Sequence, residues 1–174
     1  MVQKVKRAKT PQEALASLMR LCARSERSSG DALRLMRQWG VADEDAQKVL
    51  AQLQKERYID DSRYAEAFVR EKSNLSAWGE YKIRTALRRK GIAEQIISEA
   101  LSQLNPEQNK NRLLQRLQRK AKSIKYDTLY QLKTKLIRHG ASLGFPMDEV
   151  IESADEVIRE LNHNIEICEE EFYL

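Results

Sequence analysis

Three times along the chain a glycine is followed at once by a bulky apolar residue, at Gly40-Val41, Gly91-Ile92 and Gly144-Phe145, with intervals of 51 and 53 residues. Glycine takes the left-handed backbone conformation just past a helix end, and the apolar residue after it folds back on the last helical turn. With each glycine in that position, Val41 meets Met36 and Ile92 meets Leu87, both apolar as the motif requires. The third copy departs from the pattern. Gly140 stands where the apolar partner belongs, so Phe145 has nothing to touch and the helix before it is expected to end early or to distort. Three such stops in register, each followed by apolar residues at i, i+3 and i+4, point to a tandem helical repeat; the alternative is one irregular helical bundle.

The intervening segments read as helices throughout. Thr10-Pro11-Gln12-Glu13 combines a capping residue, a proline at the first helical position and a glutamate three residues after the cap, which specifies a helix start. That helix runs to about Arg24. A second, capped from Ser28-Ser29-Gly30-Asp31, carries Ala32, Leu35, Met36 and Trp39, and a third from Asp43 carries Ala46, Val49, Leu50 and Leu53. The order recurs after Tyr58-Ile59. One helix starts at Asp61 with Tyr64, Ala65, Phe68 and Val69 on its inner stripe. The next carries Ile83, Ala86 and Leu87, and the third Ile96, Ile97, Ala100, Leu101 and Leu104. Asn105-Pro106 opens a last set: Leu113, Leu114, Leu117 and Ile124, then Leu129, Leu132 and Leu136, then Val150, Ile151, Ala154, Val157, Ile158 and Leu161. Only three prolines and six glycines punctuate 174 residues, so the expected class is all-α, nine helices in three tandem three-helix repeats. The expected boundaries are 1–58 for a basic N-terminal tail with the first repeat, 59–105 for the second, and 106–174 for the third with an acidic tail.

Charge is segregated. Between Lys82 and Lys125 twelve cations face three acids, whereas Asp148 to Leu174 holds ten acids and the single cation Arg159. Lys82, Arg84, Arg88, Arg89 and Lys90 crowd the outside of the helix that ends at Gly91. Arg112, Arg116, Arg119 and Lys120 fall at i, i+4, i+7 and i+8, a stripe on the side away from Leu113 and Leu117. A charge run on a helix is ordinarily a solvated face, but two adjacent basic helices suit a polyanion or an acidic protein surface.

Chemistry is not in view. No GxxxxGK[ST], GxGxxG or GxSxG motif occurs, and His139 and His163 have no Cys or Asp at ligand spacing. Asp60-Asp61 sits at a helix start, where aspartate caps free N–H groups. No catalytic residue, metal or cofactor is expected. Cys22 shares a face with Leu15, Leu18 and Met19 and reads as core, and Cys168 is isolated. Trp39, Trp78 and Tyr81 are available for base stacking, though Trp39 lies on an apolar stripe where packing is its ordinary role. Met1–Lys9 carries Lys4, Lys6, Arg7 and Lys9 without an apolar run after it, and no 18-residue apolar stretch follows, so neither secretory signal nor membrane span is expected and the location expected is cytoplasmic.

The run Tyr58-Ile59-Asp60-Asp61-Ser62-Arg63-Tyr64-Ala65, then Phe68-Val69-Arg70, Ile83 through Leu87 to Lys90-Gly91-Ile92, and Ile96 to Leu101 resembles the signature of the RecX family, bacterial regulators of the RecA recombinase in recombinational DNA repair and the SOS response. The resemblance is specific from Tyr58 to Leu104 and looser from about Gln12 to Leu161. It implies an elongated, curved molecule that lies in the groove of the RecA–DNA filament and restrains ATP hydrolysis, strand exchange, filament growth and co-protease activity, with weaker, salt-dependent binding to single- and double-stranded DNA. Two other classes stay open: a helical DNA-binding module that acts without a recombinase, and a protein-interaction scaffold that makes no DNA contact.

Overall fold

The computed structural model describes the backbone of residues 7–172 and the side chains of residues 7–163. Lys4, Lys6, Cys168 and the acids Glu166 and Glu169 to Glu171 therefore lie outside the described side chains. Every regular element among the described residues is a helix: α1 (Pro11–Cys22), α2 (Ser29–Gln38), α3 (Asp43–Lys55), α4 (Asp61–Ser76), α5 (Glu80–Arg89), α6 (Glu94–Ser102), α7 (Pro106–Ala121), α8 (Leu129–Leu143) and α9 (Met147–Phe172). The chain is all-α, as its periodicity requires. It gathers into two compact units, one of Met1–Phe68 with Thr85–Ser102 and one of Val69–Arg84 with Gln103–Leu174.

Local chemistry sets the helix ends. Thr10 and Glu13 form a reciprocal capping box at α1, with Pro11 opening the helix, while Ser28, Asn105 and Thr128 cap α2, α7 and α8 through their side chains. Each such cap satisfies one of the orphan N–H groups that a helix start leaves over. Asp60 does the same for α4, its Oδ1 accepting from the N–H groups of Ser62 and Arg63 at 3.1 Å. The hydrogen bond from Arg63 is the main reason that its carboxyl lies below the ordinary range. Asp61 has a different role from the expected one: its carboxylate reaches away from its own helix and accepts the N–H of Ser29 at 2.8 Å, at the first turn of α2.

The three glycine stops all adopt the left-handed conformation, at φ of 76°, 76° and 86°. At the first two, the N–H groups of Val41 and Ile92 bond back to the carbonyls of Met36 and Leu87, the closure expected from the sequence. The third corrects the expectation. Helix α8 runs unbroken to Leu143, and Phe145 is buried in the core of Leu113, Leu117, Leu132, Leu136 and Val150. Gly140 is the reason α9 comes so close, since a Cβ there would stand 2.7 Å from Val150 Cγ1. Other apolar assignments also shift. Leu104 and Ile124 fall beyond the ends of α6 and α7, and Ile151 keeps 39% of its surface exposed.

In the first unit, Leu18, Met36, Leu53 and Ile59 are fully enclosed. Cys22 packs against this core, and burial pushes its thiol up from its usual range. Truncating one of the four enclosed side chains, Leu18, Met36, Leu53 or Ile59, to alanine costs about 2–5 kcal/mol. The start of α2 abuts the glycine stop after α5: Ser28 Oγ donates to the Lys90 carbonyl at 2.8 Å, and a Cβ on Gly30 would lie 2.2 Å from that oxygen. The second unit contains the same kind of joint. Ahead of α5, the N–H of Gly79 donates to Leu143 O at 2.8 Å and that of Tyr81 to Gly144 O at 3.1 Å, with a Gly79 Cβ barred by Gly144 O at 2.4 Å. Glycines 30 and 79 thus let one helix start dock on the closing turn of another, twice over.

Candidate nucleic-acid interface

The two basic helices differ once the side chains are placed. On α5, Arg84 pairs with Glu80 at 2.8 Å and Arg88 with Glu94 at 2.8 Å. Lys90 reaches Asp31 at 2.9 Å, and Arg34 approaches the same carboxylate at 2.8 Å. The Asp31 side chain is only 7% exposed, so its charge needs those partners. Burial raises its pKa, yet the hydrogen bonds from Arg34 and Lys90 outweigh that and hold the carboxyl below its ordinary value. Lys82 donates to the Ser142 carbonyl at 3.0 Å and stands 4.7 Å from the Trp78 ring, which also receives Lys72 at 5.6 Å. Arg89 is exposed and forms no ion pair among the described residues.

On α7 the arrangement is the reverse. Arg112, Arg116, Arg119 and Lys120 meet no carboxylate within ion-pair reach among the described residues; their polar contacts are Arg112 to Gln108 Oε1 at 3.5 Å and Arg119 to the Gln115 carbonyl at 3.2 Å. Arg116 and Arg119 are exposed, and Arg112 and Lys120 half-buried. The stripe therefore borders the buried face of Leu113 and Leu117 rather than opposing it. Helix α7 meets the acids of α9 elsewhere, through Lys110 to Glu152 at 2.7 Å and Gln118 to Glu160 at 2.9 Å, while Lys133 of α8 takes Asp155. Three acids of the negative C-terminal segment are thus answered within the unit. Glu149, raised first by burial and then by Asp148, is held partly away from water.

The aromatic candidates separate as well. Trp39 packs against the first core beneath Lys9, whose Nζ is 3.7 Å from the ring. Tyr81 is 63% exposed. His139, without a role in the sequence, comes within electrostatic reach of Lys120, Arg116 and Lys82. Its partners lie 19 or more positions away, so no local spacing signals it. Among the described residues no group of three His, Cys, Asp or Glu side chains could hold a metal ion, and no helix is long and apolar enough to cross a membrane.

Comparison with known proteins points to one family. The family model described as RecX, second three-helix domain, matches residues 60–101, the stretch that holds the Asp60 cap and the Gly91 stop. The regulatory protein RecX of Chlorobium phaeobacteroides is 30% identical over 141 residues, covering 81% of this chain and 91% of that one. Its counterpart in Prosthecochloris aestuarii is 30% identical over 119 residues, covering 68% and 76%. A Clostridium botulinum RecX is 31% identical over 137 residues. The chain spans 62% of the length of that relative and 45% of the one from Oceanobacillus iheyensis. Among solved structures, RecX from Lactobacillus salivarius superposes with a TM-score of 0.73 at 20% identity, over 87% of this chain and 96% of that one, which is a likeness of fold.

Proposed function

The chain belongs to the RecX family of regulatory proteins, and from that premise we propose that it binds the RecA–DNA filament and lowers its ATP hydrolysis, strand exchange and co-protease activity. One observation carries the reading beyond the family's name: Arg112, Arg116, Arg119 and Lys120 form a continuous row of cations that the fold leaves without carboxylate partners among the described residues. A row of this kind attracts phosphates and exchanges their counterions, so its contribution falls as salt rises. Arg89 is the α5 cation that is exposed and without an ion pair among the described residues. The other α5 cations act chiefly within the protein.

Inhibition needs no active site. Several weak contacts to neighbouring filament protomers add through effective concentration. A protein that binds one subunit arrangement better than those visited during turnover slows hydrolysis by shifting populations. The acids of α9 that have no cation partner among the described residues suit basic protein surface and keep that helix off the phosphates.

The test is one titration series. Binding is measured to single- and double-stranded DNA, to free RecA and to the assembled RecA–DNA filament across salt concentrations. Tightest binding to the filament, weakening with salt, supports the proposal. Equal affinity for bare DNA makes the chain a DNA-binding module, and salt-independent binding to free RecA makes it a scaffold.

A further inference from the structure

At the C-terminal end of the α7 stripe, the second unit holds a recess of about 220 Å³ lined by Arg116, Arg119, Lys120, Ser123 and His139. Among the described residues, three cations and no carboxylate line it. The Ser123 hydroxyl is committed to the Lys120 carbonyl at 2.9 Å, which leaves the two guanidinium groups, the ammonium and the imidazole as its polar resources. His139 is half-buried, and its Nε2 is shut off from solvent without a hydrogen-bond partner. Buried polar atoms are ordinarily satisfied, so an orphan beside three cations marks a place where a group of opposite charge completes the structure.

We propose that this recess seats a single tetrahedral oxyanion, a phosphate or sulfate group, with Arg116, Arg119 and Lys120 as its cationic ligands and His139 as a further donor. The geometry suits the task, because planar guanidinium groups grip such oxygens in pairs and the ammonium supplies a point charge. In the free protein the pKa of the imidazole is lowered, first by burial and then by Lys120 and Arg116 of α7 and Lys82 of α5. A bound anion offsets those three charges, so His139 gains a proton as the anion enters. Binding then tightens as pH falls. Only the source of the anion depends on the proposed phosphate-facing role of α7, since the seat itself follows from the recess.

Long-range proton–nitrogen correlation spectra of the full-length, nitrogen-labelled protein follow His139 from pH 5 to 8, in sodium sulfate and in sodium chloride of equal ionic strength. Sulfate keeps one charge over that range, so any pH dependence belongs to the protein. The expected result is a saturable shift of His139 but not of His163. The His139 titration midpoint rises by about one unit, and sulfate binds about tenfold tighter at the acid end. His139→Gln weakens sulfate binding at the acid end and loses its pH dependence, whereas Arg116→Gln with Lys120→Gln loses binding throughout with helicity unchanged. Identical His139 spectra and midpoints in the two salts overturn the seat. A short single-stranded oligonucleotide in place of sulfate identifies the source. A response at His139 assigns the seat to backbone phosphate; a response to sulfate and inorganic phosphate alone keeps the seat but overturns the nucleic-acid role of the stripe.

Discussion

Helix α5 with Lys90 just past its end carries as many cations as helix α7, five each, yet the fold treats the two in opposite ways. On α5, Arg84, Arg88 and Lys90 each meet a carboxylate, and Lys82 is tied to Ser142 and Trp78. On α7, only Lys110 has a carboxylate partner among the described residues, Glu152, while Arg112, Arg116, Arg119 and Lys120 have none. The lesson is that charge density along a sequence does not tell how the fold uses a helix's cations. What decides is whether folding supplies a counter-charge, and that depends on residues such as Asp31, far from Lys90 in sequence.

The comparison can be broken most decisively at Lys90. Lys90→Glu sets a second negative charge against the nearly buried Asp31, and we expect a loss of about 3 kcal/mol in urea unfolding, the lower end for a broken buried pair, because Arg34 remains. A change below about 0.5 kcal/mol would place Lys90 with the α7 cations. Acid sharpens the point. Because the folded pKa of Asp31 lies below its ordinary 3.8, its contribution is full above that value and is lost as pH falls through the lower folded one. Asp31→Asn should therefore lower stability at neutral pH and flatten the acid limb of the stability curve.

Charge reversal on α7 should do the converse. Arg116→Glu with Arg119→Glu is expected to weaken filament or DNA binding at least tenfold, about 1.4 kcal/mol, while stability stays within about 0.5 kcal/mol. Replacing the same pair by glutamine gives a finer measure: if each arginine neutralises one phosphate on a single strand, the salt slope becomes shallower by about 1.4. Arg89→Gln should show the smallest effect, with stability unchanged to within about 0.5 kcal/mol and about a twofold weakening of binding, below a single full phosphate contact.

Much of this architecture is legible locally. The capping box at Thr10 and Glu13, the caps at Ser28 and Asn105, and the fold-back of Val41 and Ile92 involve residues within five positions of one another, so spacing alone carries them. What spacing does not carry is anything settled between distant segments. Gly140 looked like a flaw in the third copy because its value lies in the approach of Val150. Asp61 looked like a cap for α4 because nothing near it announces Ser29. The difference between α5 and α7 was hidden for the same reason, and so was His139. Even Gly30 and Gly79 were visible as residues but not as the floor of two matching joints.

The measurement that bears most directly on this account is inhibition of RecA ATPase on single-stranded DNA by two double variants, Arg116→Glu with Arg119→Glu and Arg88→Glu with Arg89→Glu, each checked for helicity by circular dichroism. The α7 variant is expected to keep its helices and lose inhibition. The α5 variant is expected to inhibit nearly as well as the unaltered protein wherever it remains folded. Undiminished inhibition by a fully helical α7 variant would contradict the claim that the unpaired row on that helix is what meets the filament.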